Sequence, residues 1–275
     1  MDSKLKGKVI VITGASGGIG GAMAQRFAEE GARLVLHYRT GRERVESLHK
    51  ELAGTDILLV QADLTKERDA KRLFAAVVKK FGRVDTLVAN AGSWETRDIP
   101  LHEMSLKQWR ATMDAVLTSV FFSVREFLKI AARQKRGNMV LISSTAGIFG
   151  EAGHADYAAA KSAIAFGLTR TLKNEMSRLA PHTKDYCGGR VNCICPGWTI
   201  VPRNAGKLTN AATVKKVLAT MALPQIARPD DIAQLAVFLA SDVLSRHLTG
   251  QTIPVAGGME GRMLWREEEL DAGIA

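Results

Sequence analysis

The sequence predicts a three-layer α/β fold in which one doubly wound sheet of seven parallel strands carries helices on both faces. Seven short runs rich in apolar and β-branched residues alternate with amphipathic stretches of helical period. The apolar runs are nearly continuous, which is typical of parallel strands buried on both faces. Because such sheets bind ligands at the carboxyl ends of their strands, functional residues are expected just after the strands.

Each element follows from this alternation. The predicted strands are residues 8–12, 33–38, 57–62, 86–89, 139–143, 191–195 and 251–255. The predicted helices are residues 20–30, 43–52, 67–81, 106–132, 157–179 and 230–239. Residues 1–258 are therefore expected to form one domain.

Two segments lie outside the regular alternation. Residues 198–224 follow the sixth strand and are rich in alanine, which predicts a mobile substrate lid. Residues 259–275 form a C-terminal tail with Trp265 and the acidic run Glu267 to Glu269. This tail is equally consistent with a cover over a neighbouring subunit and with a frayed terminus.

Composition excludes several classes of protein. The apolar fraction of 46% and the charged fraction of 24% are those of a globular chain. The net charge of +10 is spread along the chain without a basic run, which argues against nucleic-acid binding. The sequence shows neither an apolar run of about 18 to 20 residues nor a secretory signal. We therefore expect a soluble, cytoplasmic protein with no membrane partner.

The three cysteines, Cys187, Cys193 and Cys195, are expected to be reduced thiols. They form neither an even disulfide framework nor a set of zinc ligands, so no metal site is predicted. Cys193 and Cys195 lie two residues apart in a predicted strand, and we expect them to point to opposite faces of the sheet.

A glycine-rich segment from Thr13 to Gly20 joins the first strand to the first helix. In this segment Gly14 permits a tight turn, Gly18 lets a pyrophosphate approach the backbone, and Gly20 allows close contact between helix and strand. The helix N-terminus presents amides to phosphate groups. Although glycines alone also make flexible turns, the strand before them and the helix after them favour nucleotide binding.

The end of the second strand favours NADP(H) over NAD(H). An acidic residue that binds the ribose of NAD is expected there, but the sequence has Tyr38 and Arg39. With Arg39 and Arg42 able to pair with an additional phosphate, NADP(H) is the predicted cofactor. The alternative is that Arg39 is an ordinary surface arginine.

Small and polar residues also follow the third and fourth strands. Asp63 and Leu64 follow the third strand, and the carboxylate of Asp63 is a candidate to meet an adenine amine. Asn90, Ala91 and Gly92 follow the fourth strand, where small residues let the chain pass close to a bound ring. Each group alone is also consistent with capping or turn chemistry.

The predicted catalytic residues are Ser144, Tyr157 and Lys161. Tyr157 and Lys161 are four residues apart and share one face of a helix. An ammonium beside a phenol is expected to lower the phenol's pKa from about 10, so that Tyr157 becomes a proton donor or acceptor. Ser144 follows the fifth strand, where its hydroxyl is placed to bond a substrate oxygen.

Taken together, these motifs resemble the short-chain dehydrogenase/reductase family over about residues 5–258. The resemblance is carried by the glycine segment, Asn90-Ala91-Gly92, Ser144, Tyr157-x-x-x-Lys161 and Pro196-Gly197. It implies a Rossmann-type fold, a homotetramer or homodimer, and activity on a small carbonyl or alcohol substrate, with 3-oxoacyl-carrier-protein reduction as a familiar task. It also implies that Tyr157 protonates the carbonyl oxygen, Ser144 orients it, and Lys161 binds the nicotinamide ribose.

The same resemblance assigns two groups of cofactor contacts. The adenine half of the cofactor is assigned Thr13, Gly14, Ser16, Gly18, Ile19, Gly20, Tyr38, Arg39, Asp63 and Leu64. The nicotinamide half is assigned Asn90, Ala91, Gly92, Tyr157, Lys161, Ile194, Pro196, Gly197 and Thr199.

The sequence departs from the family pattern at two places that affect function. Val116 replaces an asparagine that supports a proton-relay water, so we expect slower or rerouted proton delivery, with Thr118 or Ser119 holding a displaced water. Val201 stands where a threonine commonly contacts the carboxamide, and Thr199 is the alternative. The main hypothesis is an NADP(H)-dependent carbonyl reductase. The competing hypothesis is a nucleotide-bound regulator or scaffold with little catalysis.

The substrate is not specified by these patterns. Phe149, Glu151 and His154 precede Tyr157 and are candidates to line the substrate pocket. The plainer interpretation of His154 is a loop histidine without a role in binding.

Overall fold

The structure, a computed structural model, describes residues 2–93, 95–202, 204–261, 263 and 266–269. It contains the predicted sheet of seven strands, all paired in parallel, in the order β3-β2-β1-β4-β5-β6-β7. The strands are β1 Val9–Ile12, β2 Arg33–Tyr38, β3 Ile57–Gln61, β4 Thr86–Ala89, β5 Asn138–Ile142, β6 Arg190–Pro196 and β7 Thr252–Val255. The predicted fold class is confirmed.

The α-helices of the described residues alternate with these strands. They are α1 Gly18–Glu29, α2 Arg42–Glu51, α3 Glu67–Phe81, α4 Leu106–Met113, α5 Ser119–Gln134, α6 Ala146–Phe149, α7 Ala155–Ser162, α8 Thr169–Leu179, α9 Ala205–Leu208, α10 Ala211–Leu218 and α11 Pro229–Ala240. Short 3₁₀ turns cover Leu101–Glu103 and Glu267–Glu269. No helix among the described residues combines the length and apolar character needed to cross a membrane.

The sheet separates two apolar layers because neighbouring residues of a strand point to opposite faces. On β1, Val9 and Val11 belong to the layer that includes the buried faces of α3, α5 and α8, while Ile10 and Ile12 belong to the layer of α1, α2 and α11. A third, smaller cluster lies under α10 and includes Val214, Leu218 and Met221. The central strands are therefore buried on both faces, as their continuous apolar sequences predict.

Two predicted helices contain a wider turn that the sequence pattern did not reveal. A π-helical segment, Asp114–Thr118, joins α4 to α5, and another, Ala163–Leu168, joins α7 to α8. Such insertions keep the helix continuous but change the direction of side chains, and they are frequent at functional sites. The first segment contains Val116, and the second follows directly after the helix that carries Tyr157 and Lys161.

The expectation for Cys193 and Cys195 was wrong. Residues two apart on a strand point to the same face, and both thiols lie in the same apolar layer with their Sγ atoms 4.0 Å apart. Both are free and buried, and Cys187 is also free. Trp265 of the predicted tail lies outside the described residues.

β1 and β4 are neighbours at the centre of the sheet, where the chain reverses the direction in which it adds strands. The loops after these strands diverge to opposite sides and leave a crevice at the carboxyl edge of the sheet. The residues that follow β1 to β6 meet at this crevice.

Candidate active site

A cleft of about 760 Å³ opens at the carboxyl edge of the sheet, a volume ordinary for a cofactor or substrate site. Most of the sequence-predicted site residues line it. They are Gly14, Ser16, Gly18, Ile19, Gly20, Arg39, Asp63, Leu64, Asn90, Ala91, Gly92, Ser144, Tyr157, Lys161, Pro196, Gly197 and Thr199. The cleft thus joins the predicted cofactor residues and the predicted catalytic residues in one continuous space.

Three residues predicted to contact the cofactor lie behind this lining. Tyr38 and Ile194 are buried in the apolar layer of α1, α2 and α11. Thr13 is also buried, and its Oγ1 accepts hydrogen bonds from the amides of Asn90 and Ala91, each at 2.9 Å. Thr13 therefore has a structural role, because it holds the loop after β4 against the loop after β1.

The glycine-rich loop packs too tightly for side chains. Gly14 has a φ of +71°, and a Cβ atom there would lie 3.0 Å from the Cα of Ala91. The Nδ2 of Asn90 donates to the carbonyl oxygen of Thr13 at 3.0 Å, which holds the two loops together. Gly17 precedes α1 and supplies no side-chain cap, so the first amides of α1 remain suited to a phosphate. These features fit a dinucleotide whose pyrophosphate lies over the loop.

A basic group lies at the end of the cleft near the carboxyl end of β2. Arg39, Thr40 and Arg44 line the cleft together with Ser16. A Cβ atom on Gly41 would lie 2.8 Å from an Arg44 guanidinium nitrogen and 3.2 Å from the Cβ of Ser16, so Arg44 folds back towards the glycine-rich loop. Arg39 in the loop after β2 and Arg44 in the first turn of α2 thus both line the cleft, and no carboxylate of the described residues between them does so.

Arg42 does not join this group, which corrects the expectation that it pairs with the cofactor alongside Arg39. Its Nε donates to Glu46 Oε1 at 2.6 Å on the exposed face of α2, away from the cleft lining. A helix turns about 100° per residue, so two positions further along the chain Arg44 faces the cleft while Arg42 faces solvent. The helical period of α2 therefore predicts that Arg42 and Arg44 point in different directions.

His37 lines the cleft and was missed by the sequence analysis. Its Nδ1 accepts the Gly14 amide at 3.1 Å, and its Nε2 lies 3.0 Å from the carbonyl oxygen of Ala62. Since a carbonyl only accepts, Nε2 carries the proton of a neutral ring. Burial lowers the pKa of His37 to about 4, against the opposing effect of the Ala62 hydrogen bond. His37 therefore connects the loops that follow β1 and β3 as a neutral side chain.

Asp63 lines the cleft as a charged carboxylate. Burial raises its pKa, but hydrogen bonds from the amide and hydroxyl of Thr65 and the charges of Arg39 and Lys66 outweigh that effect and lower the pKa overall. The Thr65 hydroxyl donates to Asp63 Oδ1 at 2.8 Å. One carboxylate oxygen is thus engaged within the loop.

At the other end of the cleft, β5 and α7 bring together Ser144, Tyr157 and Lys161. Asp156 fixes the start of this helix, because its Oδ2 accepts from the Thr112 hydroxyl at 2.6 Å and its Oδ1 accepts from the Tyr157 amide at 2.8 Å. Ser144 Oγ accepts from the Ala146 amide at 3.2 Å. Because this contact uses only an acceptor site of the hydroxyl, Ser144 can still donate its proton to a ligand.

Lys161 lies beneath the tyrosine in a buried position. Its Nζ donates to the carbonyl oxygen of Ile142 at 2.8 Å and lies 5.7 Å from the centroid of the Tyr157 ring. Burial lowers the pKa of Lys161 to about 8, while the nearby Cys193 and Cys195 act in the opposite direction. The ammonium is held by few partners, so it is available to a ligand in the cleft.

Comparisons with known proteins agree with this geometry. A short-chain dehydrogenase model described as enoyl-(acyl carrier protein) reductase matches residues 14–260. This chain belongs to the short-chain dehydrogenase/reductase family. It is therefore an NAD(P)-dependent oxidoreductase.

Curated relatives of this short-chain dehydrogenase/reductase cover almost the whole chain. A 3-oxoacyl-(acyl-carrier-protein) reductase of Synechocystis sp. is 33% identical over 257 residues, which are 93% of this chain and 98% of that protein. The 3-oxoacyl-(acyl-carrier-protein) reductase FabG of Thermotoga maritima is 34% identical over 258 residues, 93% of this chain and 99% of that protein. FabG of Staphylococcus epidermidis is 33% identical over 257 residues, which are 92% of this chain and 98% of that protein.

The π-helical segment lies where this short-chain dehydrogenase/reductase departs from the family pattern. Val116 is fully buried and its side chain approaches Gly92 and the core, whereas Ser119 lines the cleft. The Ser119 hydroxyl donates to the carbonyl oxygen of Ala115 at 2.8 Å. Thr118 bonds Asp114 at the exposed surface and does not line the cleft.

The segment after β6 reaches across to the glycine-rich loop. A Cβ atom on Gly18 would lie 2.8 Å from Val201 Cγ1, so Val201 rests directly on that glycine. Asn204 holds the turn, since its Nδ2 donates to the Thr199 carbonyl oxygen at 2.7 Å and its Oδ1 accepts the Val201 amide at 3.0 Å. Val201 therefore supplies an apolar contact at this place, and the nearby Thr199 hydroxyl is bonded to the Gly197 carbonyl oxygen at 3.0 Å.

The substrate side of the cleft combines apolar and polar groups. Phe149, Trp198 and Met259 line it, and so do Glu151 and His154. Of these, Phe149 is 42% exposed, whereas His154 is only 3% exposed. His154 is therefore buried in the wall of the cleft and is not a solvent-exposed side chain.

Proposed function

We propose that this chain is an NADP(H)-dependent carbonyl reductase that transfers a hydride between the nicotinamide and a carbonyl or secondary alcohol. The observation that carries the proposal is the cleft shared by the hydroxyls of Ser144 and Tyr157 and the buried ammonium of Lys161. Three curated relatives named as 3-oxoacyl-(acyl-carrier-protein) reductases support a ketone substrate. Residues Gly14 to Gly20 would hold the pyrophosphate of the cofactor.

The proposed mechanism assigns each side chain one task. When bound, the reduced cofactor supplies a hydride to the carbonyl carbon. Ser144 donates a hydrogen bond to the carbonyl oxygen and thereby orients it. Tyr157 donates its phenolic proton to the same oxygen as negative charge develops there. Lys161 would hold a ribose hydroxyl of the cofactor, and its positive charge stabilises the phenolate that Tyr157 becomes.

Proton resupply to Tyr157 is proposed to pass through Lys161 and a water near Ser119. Val116 cannot support such a water with its side chain, because it is apolar and buried. Ser119 lines the cleft one turn away and carries a hydroxyl that can hold the water. We therefore expect the relay to be displaced by one helical turn rather than lost.

The preference for NADP(H) over NAD(H) rests on the end of β2. Arg39, Arg44 and Ser16 can surround a phosphate on the adenine ribose, with guanidinium groups donating to its oxygens. A carboxylate that would bind the free ribose hydroxyls, and would repel that phosphate, is absent from this loop of the described cleft. The lid role of residues 198–224, the single domain over residues 1–258, and assembly as a homotetramer or homodimer belong to the same proposal.

The competing proposal is a nucleotide-bound regulator or scaffold, and Val116 is the observation that favours it. The deciding experiment is fluorescence titration of the purified protein with NADPH and NADH, followed by 340 nm absorbance with ketones, diketones, 3-oxoacyl thioesters and sugars. Tighter binding of NADPH and its oxidation with a carbonyl substrate are expected. Tight binding without turnover on any carbonyl would support the regulator instead.

A further inference from the structure

His154 occupies a buried position at the substrate side of the cleft. It directly precedes α7 and lies three residues before Tyr157, about one helical turn away. It lines the same cleft as Ser144 and Tyr157 and is 3% exposed. A polar ring in such a place is costly unless its nitrogen atoms find hydrogen-bond partners.

One ring nitrogen of His154 has a partner that also fixes the ring. Nε2 lies 3.0 Å from Oδ1 of Asp98, and the amide of Ile99 donates to the carbonyl oxygen of Gly153 at 2.9 Å. Gly153 has a φ of +83°, and a Cβ atom there would lie 2.9 Å from the Cβ of Asp98. The segments that contain Asp98 and His154 are thus held in close contact through Gly153 and the His154 ring.

The second ring nitrogen, Nδ1, is buried and has no hydrogen-bond partner among the described residues. The carboxylate of Asp98 accepts hydrogen bonds, so the proton of a neutral imidazole is assigned to Nε2. Nδ1 is then left as an acceptor with a free lone pair. A buried acceptor in the wall of a substrate cleft requires a donor from the ligand or from water.

We propose that His154 is a specificity-determining residue whose Nδ1 accepts a hydrogen bond from a donor group on the carbonyl substrate. The donor is a hydroxyl or an amide N–H group, since both present a proton to an imidazole nitrogen. The proposal rests on the carbonyl-reductase function above and names the chemistry of its substrate. Phe149, Trp198 and Met259 surround the remaining part of the substrate with apolar groups. Asp98 is a positioning residue, because it acts through the ring of His154.

The proposal is tested with pairs of substrates that differ only in the donor. The hydroxyl pair is 4-hydroxy-2-butanone and 2-pentanone. The amide pair is the N-acetylcysteamine thioester of 3-oxobutanoate and the analogue in which an ester oxygen replaces the amide N–H. NADPH oxidation at 340 nm gives kcat/KM for each compound, and the ratio within a pair is insensitive to the fraction of folded enzyme.

The wild-type enzyme is expected to prefer the donor member of one pair by about 5- to 150-fold, the effect of leaving a buried acceptor unpaired. The pair that shows the preference identifies whether the donor is a hydroxyl or an amide. His154→Phe should bring that ratio close to one, because phenylalanine fills the space without an acceptor. His154→Asn should restore most of the ratio, because its Oδ1 provides an acceptor near the place of Nδ1.

His102→Phe is the matched control, because His102 is exposed on the 3₁₀ turn Leu101–Glu103 and does not line the cleft. Its ratio should equal that of the wild type. Wild-type ratios near one for both pairs, with NADPH oxidised in each case, would overturn the proposal and leave the reductase function intact. A preference that His154→Phe leaves unchanged would also overturn it. If no carbonyl compound supports NADPH oxidation, the reductase function fails, and this proposal with it.

Discussion

The two ends of the cleft differ in how their polar groups are satisfied. At the cofactor end, Thr13, His37 and Asn90 bond the backbone of neighbouring loops. At the reacting end, the Nδ1 of His154 has no partner among the described residues, and Ser144 retains a free proton. Side chains that bond the protein's own backbone keep a binding surface in one shape, which suits a ligand that is always the same. Side chains with unused donors or acceptors can instead bond groups that differ from one substrate to another.

The largest effect is expected from removing the phenolic hydroxyl at the reacting end. Tyr157→Phe should lower kcat by about 10²- to 10⁴-fold, because the substrate oxygen loses its proton donor. NADPH binding should stay near the wild-type value, since the glycine-rich loop is untouched. Stopped-flow turnover and fluorescence titration measure the two quantities.

Tyr186→Phe is the control for Tyr157→Phe. Tyr186 is buried, lies outside the cleft lining, and donates to the Gly137 carbonyl oxygen at 3.0 Å. Its loss should reduce the free energy of unfolding by about 1–3 kcal/mol without changing kcat. Equal loss of kcat in both variants would show that Tyr157 acts through stability and not through chemistry.

The next largest effect concerns acid stability at the cofactor end. The pKa of His37 is lowered to about 4 in the folded protein, from an ordinary value near 6.5. Between these values the unfolded chain binds a proton that the folded chain does not, so stability falls as the pH decreases through this range. Above pH 6.5 the His37 ring is neutral in both the folded and the unfolded chain, so it adds no further pH dependence to stability. The wild type should lose about 3 kcal/mol of unfolding free energy through His37 between pH 6.5 and 4.

His37→Asn should lose correspondingly less on acidification, as measured by urea unfolding at a series of pH values. The exposed His182 provides the matched variant, and His182→Asn should retain the wild-type acid dependence. A His37→Asn curve parallel to that of the wild type would show that folding does not lower the pKa of His37.

A smaller effect is expected in cofactor choice. Arg39→Asp should shift the preference from NADPH towards NADH by about 10- to 150-fold, because it replaces a charged hydrogen-bond donor with a carboxylate. The ratio of the two dissociation constants measures the shift. Arg42→Asp should leave the ratio unchanged, since Arg42 pairs with Glu46 away from the cleft. Equal shifts in both variants would mean that general surface charge, and not a phosphate site, sets the preference.

The smallest effect tests the proton relay. Ser119→Ala should lower kcat about 3- to 10-fold with little change in KM, because one hydrogen bond to a relay water is lost. Thr118→Ala should leave kcat unchanged, as Thr118 bonds Asp114 at the surface. The opposite result, with Thr118→Ala slower and Ser119→Ala unaffected, would place the relay on the exposed face of the helix.

The strands could be predicted because a parallel strand buried on both faces has a continuous apolar sequence, which an amphipathic helix lacks. Glu67–Phe81 was located to the residue for a related reason, since its apolar positions recur with a clear helical period. The π-helical segment Asp114–Thr118 was not found, because the residues on both sides of it are helical and a single wider turn is too short to show its own period.

Within the site, the sequence alone was enough to place the groups that belong to one local motif, namely the glycine turn at Gly14 and the pair Tyr157 and Lys161 on one face of α7. Which other side chains face the cleft depends on how the chain folds. His37, Arg44 and His154 line it, while Thr13 and Tyr38 lie behind it. The physical reason is that a motif fixes neighbours along the chain, whereas a histidine's role depends on partners such as Gly14 or Asp98, which are distant in sequence and meet it only in the folded protein.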